Sequence, residues 1–263
     1  MEPSFTEGTL GRTGLRVGRL GLAGGYGAPS AAFEMAFERG CNYFYHGSFR
    51  RAGMNDAIQN LCAKGKRGEL VITSQVYLRA GFLLRWSFER FLKKTKLDYA
   101  DMLLLGWYNS PPPQGVLDAA RQLKEQGKIK FLAVSGHNRS AFPRYAATGL
   151  YDAFHVRYSA AHRGAETEVF PKLPADGRPG IVTYTATRWG GLVNPRNMPP
   201  GENTPRASDC YRFVMSNPAV DVCIAGPKNM EEMREALAAL DRGPMAADEL
   251  AWMRRVGDHL RVT

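Results

Sequence analysis

The chain has 263 residues, 44% apolar and 23% charged, the proportions of a globular protein with material for a full core. No run of about 18 uncharged apolar residues occurs, which excludes a membrane-spanning helix, and residues 1–8 lack a basic segment leading into an apolar one, so the cytoplasm is the expected location. The net charge of +10 raises the question of a polyanion, but Lys and Arg are scattered and no nucleic-acid-reading motif is present, so a basic pocket for an anionic small molecule is expected instead.

Apolar runs alternate with helical patterns along the whole chain. A hairpin is expected over residues 9–17, with Gly11 and Gly14 in its turn. Strands are expected at residues 20–23, 43–45, 70–73, 102–105, 131–134, 153–156, 181–184 and 220–224. Most are continuous apolar runs, the pattern of strands covered on both faces. Helical periodicity falls between them, at residues 31–39, 54–64, 83–95, 115–126, 139–147, 165–173, 208–216 and 230–240. One further helix is expected at 246–260. Gly40, Gly127 and Gly149 stand where helices should end, and Asn229 where one should begin. Residues 188–206, rich in Pro, Gly and Asn, read as a long loop. Eight strand–helix units without a composition break predict one (β/α)8 TIM barrel over residues 1–263, with a hairpin before it and an extra helix after it. A doubly wound sheet is the alternative, but Gly24-Gly25-Tyr26-Gly27 lacks the G-x-G-x-x-G spacing that usually opens one.

Cys41, Cys62, Cys210 and Cys223 form no C-x-x-C pair and no Cys/His zinc spacing, so they are expected to be reduced structural thiols. No Asp or Glu ends the second to fifth strands. This argues against glycoside hydrolysis and against a metal site.

Several motifs, in the right order over nearly the whole chain, resemble the aldo-keto reductases. The stretch from Leu10 to Val17 resembles that family's N-terminal hairpin, and the stretch from Gly40 to Phe44 its second strand. The stretches from Tyr99 to Leu105 and from Gly127 to Ser135 are similar to its fourth and fifth strands, and Ala225-Gly226-Pro227-Lys228 to its eighth strand and following turn. The resemblance implies a barrel that binds NADPH across the C-terminal ends of its strands. It also implies carbonyl reduction by an Asp-Tyr-Lys-His tetrad, but those places hold Tyr45, Arg50, Gln75 and Gly106. Removing only the aspartate would leave a buried lysine unpaired, at about 3–5 kcal/mol. Here the carboxylate and ammonium places are both uncharged, as in a remodelled site.

Cofactor positions are half kept. The resemblance assigns Ser135 to the carboxamide, Tyr184 to stacking on the nicotinamide, and Lys228, followed by Asn229, to a 2′-phosphate. His155 replaces the family's glutamine, Gly136 an asparagine, and Ala236 the asparagine that reads adenine. NADP(H) is the expected cofactor, and a small molecule rather than nucleic acid or membrane the expected partner. Tyr45 and His46 are candidate proton donors, and Arg50 a candidate anion-orienting group, on a strand end and the loop after it. Substrate contacts are expected from Gln75, Trp107, His137, Arg157, Tyr158, Arg188 and Trp189. Arg50, Arg157 and Arg188 at one rim would depress the pKa of tyrosines and histidines among them. Three readings stay open: an atypical aldo-keto reductase-like oxidoreductase acting on a small anionic or ring-containing substrate; a redox-independent lyase, isomerase or cyclase using Tyr/His acid–base chemistry; and a non-catalytic binding protein.

Overall fold

The computed structural model describes Phe5, residues 7–47 and residues 50–262. Strands β1 (Gly8–Thr9) and β2 (Arg16–Val17) pair antiparallel as the expected hairpin. Eight parallel strands then close in chain order. They are β3 (Leu20–Ala23), β4 (Tyr43–His46), β5 (Val71–Val76), β6 (Ala100–Leu105), β7 (Ile129–Ser135), β8 (Ala153–Arg157), β9 (Gly180–Tyr184) and β10 (Val222–Ala225). Strand β10 pairs with β3, Cys223 opposite Leu20, and this closure makes a (β/α)8 barrel rather than an open doubly wound sheet.

Helices α1 (Ser30–Glu38), α2 (Ala52–Ala63), α3 (Gly81–Thr95), α4 (Gln114–Glu125), α5 (Ala141–Ala147), α6 (Ala165–Glu168), α7 (Ala207–Met215) and α8 (Met230–Arg242) form the outer layer. Helix α9 (Ala247–Val262) is the extra one. Gly40, Gly127 and Gly149 take the left-handed conformation (φ 83°, 69° and 67°) that ends a helix, as their positions predict. The helix expected over 165–173 stops at Glu168 and gives way to a tight turn at Phe170–Lys172, because Pro171 supplies no N–H to continue it.

Two cores follow from strand alternation. Tyr43, Val71, Met102, Leu104, Ala133, Ala153, Val182 and Val222 fill the barrel interior. The opposite strand faces, with Phe44, Ile72, Leu103, Leu105, Phe154 and Cys223, pack against the helices. The hairpin seals the N-terminal end. Leu10 and Val17 are fully buried, and a Cβ at Gly11 would lie 2.3 Å from the Gly180 backbone nitrogen, an approach only glycine permits. The open end of the barrel is therefore the C-terminal one.

Candidate active site

A cavity of about 600 Å³ opens at the C-terminal ends of the strands. Its floor is polar chemistry on inward-facing strand residues. Tyr43 accepts a hydrogen bond from Thr73 Oγ1 at 2.8 Å, and its hydroxyl is hydrogen-bonded with His155 Nε2 at 2.8 Å. Burial pushes the His155 imidazole down to about 3, so it is neutral. Tyr45, two residues above Tyr43, enters the cavity, its ring 5.7 Å from that of His155.

Tyr45 shares the cavity with Tyr77, whose hydroxyl donates to Gln75 Oε1 at 2.9 Å. Room for the Tyr77 ring comes from Gly106. A Cβ there would fall 2.6 Å from the Tyr77 ring and 2.7 Å from the Gln75 amide nitrogen. The glycine in the family's histidine place is thus what admits the Tyr77 ring. Burial, and after it the neighbouring tyrosines 77, 26 and 43, hold the Tyr45 phenol well above its ordinary value. The expectation that arginines would depress it is corrected: desolvation dominates. At Tyr184, burial pushes the phenol up to about 12 although Arg157 opposes it.

The wall carries Ser135, Tyr184, Arg157, His137, Trp107 and Trp189. Ser135 Oγ accepts from the Trp107 N–H at 3.2 Å, which leaves its own proton free for an acceptor in the cavity. Arg157 Nη2 donates to His137 Nε2 at 3.2 Å, and its guanidinium lies 5.1 Å from the centre of the Trp189 ring. Burial, followed by the Arg157 charge, lowers the His137 pKa. Lys228 lines the far end. Its backbone N–H donates to Glu232 Oε2 at 2.9 Å, and its Nζ lies 3.8 Å from Glu232 Oε1. Glu232 and Glu235 line that end too. Among the described residues no group of three His, Cys, Asp or Glu side chains is placed to hold a metal.

Ten of the expected site residues therefore meet in one cavity: Tyr45, Gln75, Trp107, Ser135, His137, His155, Arg157, Tyr184, Trp189 and Lys228. Five do not. His46 follows Tyr45 on β4, so alternation turns it outward. It is buried against the Phe91 ring at 4.6 Å, its Nε2 lies 2.8 Å from Asn55 Oδ1, and burial lowers it to about 4. Tyr158 follows Arg157 and turns outward for the same reason. It donates to Glu166 at 2.6 Å, accepts from Asn217 at 3.1 Å, and stacks on Phe213. Arg50 is exposed over the turn after β3, close to Gly27. Arg188 turns back toward Gly191, near Leu260 of α9. Asn229 serves as the N-cap of α8, its Oδ1 accepting from the Glu232 N–H at 2.8 Å.

The cavity also holds Tyr26, Tyr77, Tyr211, Glu232 and Glu235, none of them among the expected site residues. Tyr77 lies two residues after Gln75, so period-2 alternation was a signal for it. Tyr211 comes from α7 and had no local signal. Of the six described non-glycine residues with φ above zero, Arg50, Trp107, Thr185, Arg188 and Trp189 lie in loops following strands at this end. Such residues concentrate where a surrounding structure enforces them, and here they hold up two indole rings.

The chain has relatives. A plant protein described as probable aldo-keto reductase 1, from Glycine max, is 25% identical over 281 residues, covering 95% of this chain and 77% of its own. An aldo-keto reductase of Bacillus halodurans in its holo form superposes with a TM-score of 0.78 at 17% identity over 96% of both chains. An aldo/keto reductase of Klebsiella pneumoniae, solved in complex with NADP and acetate, does so with a TM-score of 0.75 at 22% identity over 95% of both. These two likenesses carry the fold. The model of the aldo/keto reductase family matches residues 29–209, more than half of the sequence, and the chain belongs to that family.

Proposed function

We propose that this protein is an atypical aldo-keto reductase-like oxidoreductase that binds NADP(H) and reduces the carbonyl of a small ring-containing substrate. The observation that carries the reading is the Tyr45 phenol in the cavity beside Tyr77, Ser135 and Tyr184. It puts a phenolic proton where the family's tetrad is missing.

The cavity residues fit the cofactor at its nicotinamide end. Ser135 has a hydroxyl proton to give a carboxamide, and Tyr184 offers a ring face. At the phosphate end, Lys228 is the cation that would meet a 2′-phosphate, and it shares its charge with Glu232. When bound, the cofactor supplies a hydride to the carbonyl carbon. The protein's part is the proton. Tyr45, held protonated by burial, donates it to the carbonyl oxygen. Trp107 and Trp189 offer the ring flat apolar faces.

Titrating the protein with NADPH and NADH while following cofactor fluorescence tests the reading. Because Glu232 offsets Lys228, NADPH is expected to be preferred by less than about tenfold, the effect of about 1.4 kcal/mol. Absence of NADPH binding at about 1 mM contradicts the proposal.

A further inference from the structure

Arg157 is a half-buried cation on the cavity wall without a carboxylate partner. Its described partners are the His137 imidazole at 3.2 Å and the face of Trp189. Its Nε is buried with no acceptor at all. The carboxylates nearest in sequence are taken: Asp152 accepts from the Leu132 N–H at 2.9 Å and lies 3.7 Å from Arg12. Glu166 is gripped by Arg254 through both its oxygens at 2.9 Å and also accepts from Tyr158, and Glu168 pairs with Arg139 at 2.7 Å. Among the described residues no carboxylate lies within ion-pair distance of Arg157. Arg178 forks onto Asp221 and Arg212 onto Glu249, while Arg19, whose Nε is also unpaired, lies away from the cavity and donates to the Met215 carbonyl at 2.7 Å. Removing a guanidinium from water without an anion to meet it is unfavourable, and proteins rarely keep such a group without a use for it.

The surroundings define what would meet it. Trp107 and Trp189, 57% and 69% exposed, line the same cavity, and the His137 ring lies 5.8 Å from that of Trp107. The Trp107 backbone is pinned on both sides. Its N–H donates to Ser135, and its carbonyl accepts from Arg79 Nη2 at 2.6 Å. The cation and the two indoles thus line the same cavity as Tyr45. A planar two-oxygen anion matches a guanidinium edge, and a flat ring matches indole faces. The remaining cavity carboxylates are engaged elsewhere, Glu232 with Lys228 and Glu235 with Arg206 and Ser208.

We infer that Arg157 anchors a carboxylate of the substrate, with Trp107 and Trp189 holding the ring that bears it, so that the substrates are aromatic carbonyl compounds carrying a carboxylate. The inference rests on the reading of this cavity as the substrate site.

Benzoate and its uncharged isostere benzamide are the probes, titrated calorimetrically into the wild type, Arg157→Gln and Arg157→Lys. Benzoate is expected to bind the wild type at least about tenfold more tightly than benzamide, the scale of a charge-assisted hydrogen bond. Arg157→Gln is expected to abolish that ratio, and Arg157→Lys, which keeps the charge but loses the fork, to reduce it. Equal binding of the two probes to the wild type, no benzoate binding below its solubility limit, or an unchanged ratio in Arg157→Gln overturns the inference. Where Arg157→Gln does not fold, the wild-type ratio and its fall in Arg157→Lys decide. NADPH titration of the same samples separates the two claims. Arg157-dependent benzoate binding without NADPH binding leaves the anchor and sinks the cofactor reading. NADPH binding without Arg157-dependent benzoate binding does the reverse.

Discussion

Gly106 and Tyr77 occupy one volume between them: the absent Cβ of the first is the space of the second's ring. The glycine therefore works as a site residue without a side chain. Gly106→Ala is expected to push the Tyr77 ring off Gln75, at about 1–3 kcal/mol of stability for the overpacking, and to lower turnover as the shifted ring alters the cavity beside Tyr45. Thermal melts and steady-state rates check both, and an alanine variant with wild-type stability and rate contradicts the account. The resemblance made Tyr45, Ser135 and Tyr184 legible in the sequence, and residue type at a strand end did so for Arg157. Parity alone would have removed His46 and Tyr158, because each directly follows an inward-facing residue on its strand. Tyr77 was visible by the same rule, yet the empty histidine place at Gly106 says nothing by itself of what fills it.

The elements differ in how much they reveal. Continuous apolar strands and glycine helix ends placed the eight barrel strands within a few residues, since both signals are local. The loops following the strands are less legible. Trp107, Thr185, Arg188 and Trp189 take left-handed backbone conformations that no sequence rule assigns to them, and these set which side chains face the cavity. Asn229, expected both to begin a helix and, by resemblance, to meet the cofactor, caps helix α8. Asn229→Ala is expected to cost about 0.5–2 kcal/mol of stability and to leave the NADPH dissociation constant within about twofold. Chemical denaturation and the fluorescence titration measure these, and an intact stability with lost NADPH affinity would restore Asn229 to the cofactor site.

At the scale of the molecule, the barrel encloses two neutral imidazoles, His46 and His155, lowered from 6.5 to about 4 and about 3 mainly by burial. A base depressed in the folded state contributes its stability in full above its unfolded value and loses it as pH falls toward the folded one. Stability is therefore expected to decline from about pH 6.5 downward, by about 2 kcal/mol per histidine at about pH 5. Glu249 and Glu166, lowered chiefly by Arg212 and by Arg254 with Tyr158 against the pull of burial, add their loss only below the ordinary carboxylate value of 4.5, so above that value the decline belongs to the histidines. Denaturant unfolding at about pH 7 and about pH 5 measures the first, and equal stabilities contradict it. The closed barrel followed from repetition along the chain, which a sequence displays. The cavity did not, since Tyr26, Tyr211 and Glu235 reach it from three distant segments that only closure brings together. The central claim is that Tyr45 supplies the proton in an NADPH-dependent carbonyl reduction at this cavity. The direct measurement is NADPH consumption with 4-carboxybenzaldehyde by the wild type and by Tyr45→Phe. The account predicts enzyme-dependent consumption that falls at least about a hundredfold in Tyr45→Phe. No consumption by the wild type, or an undiminished rate in the variant, would contradict it.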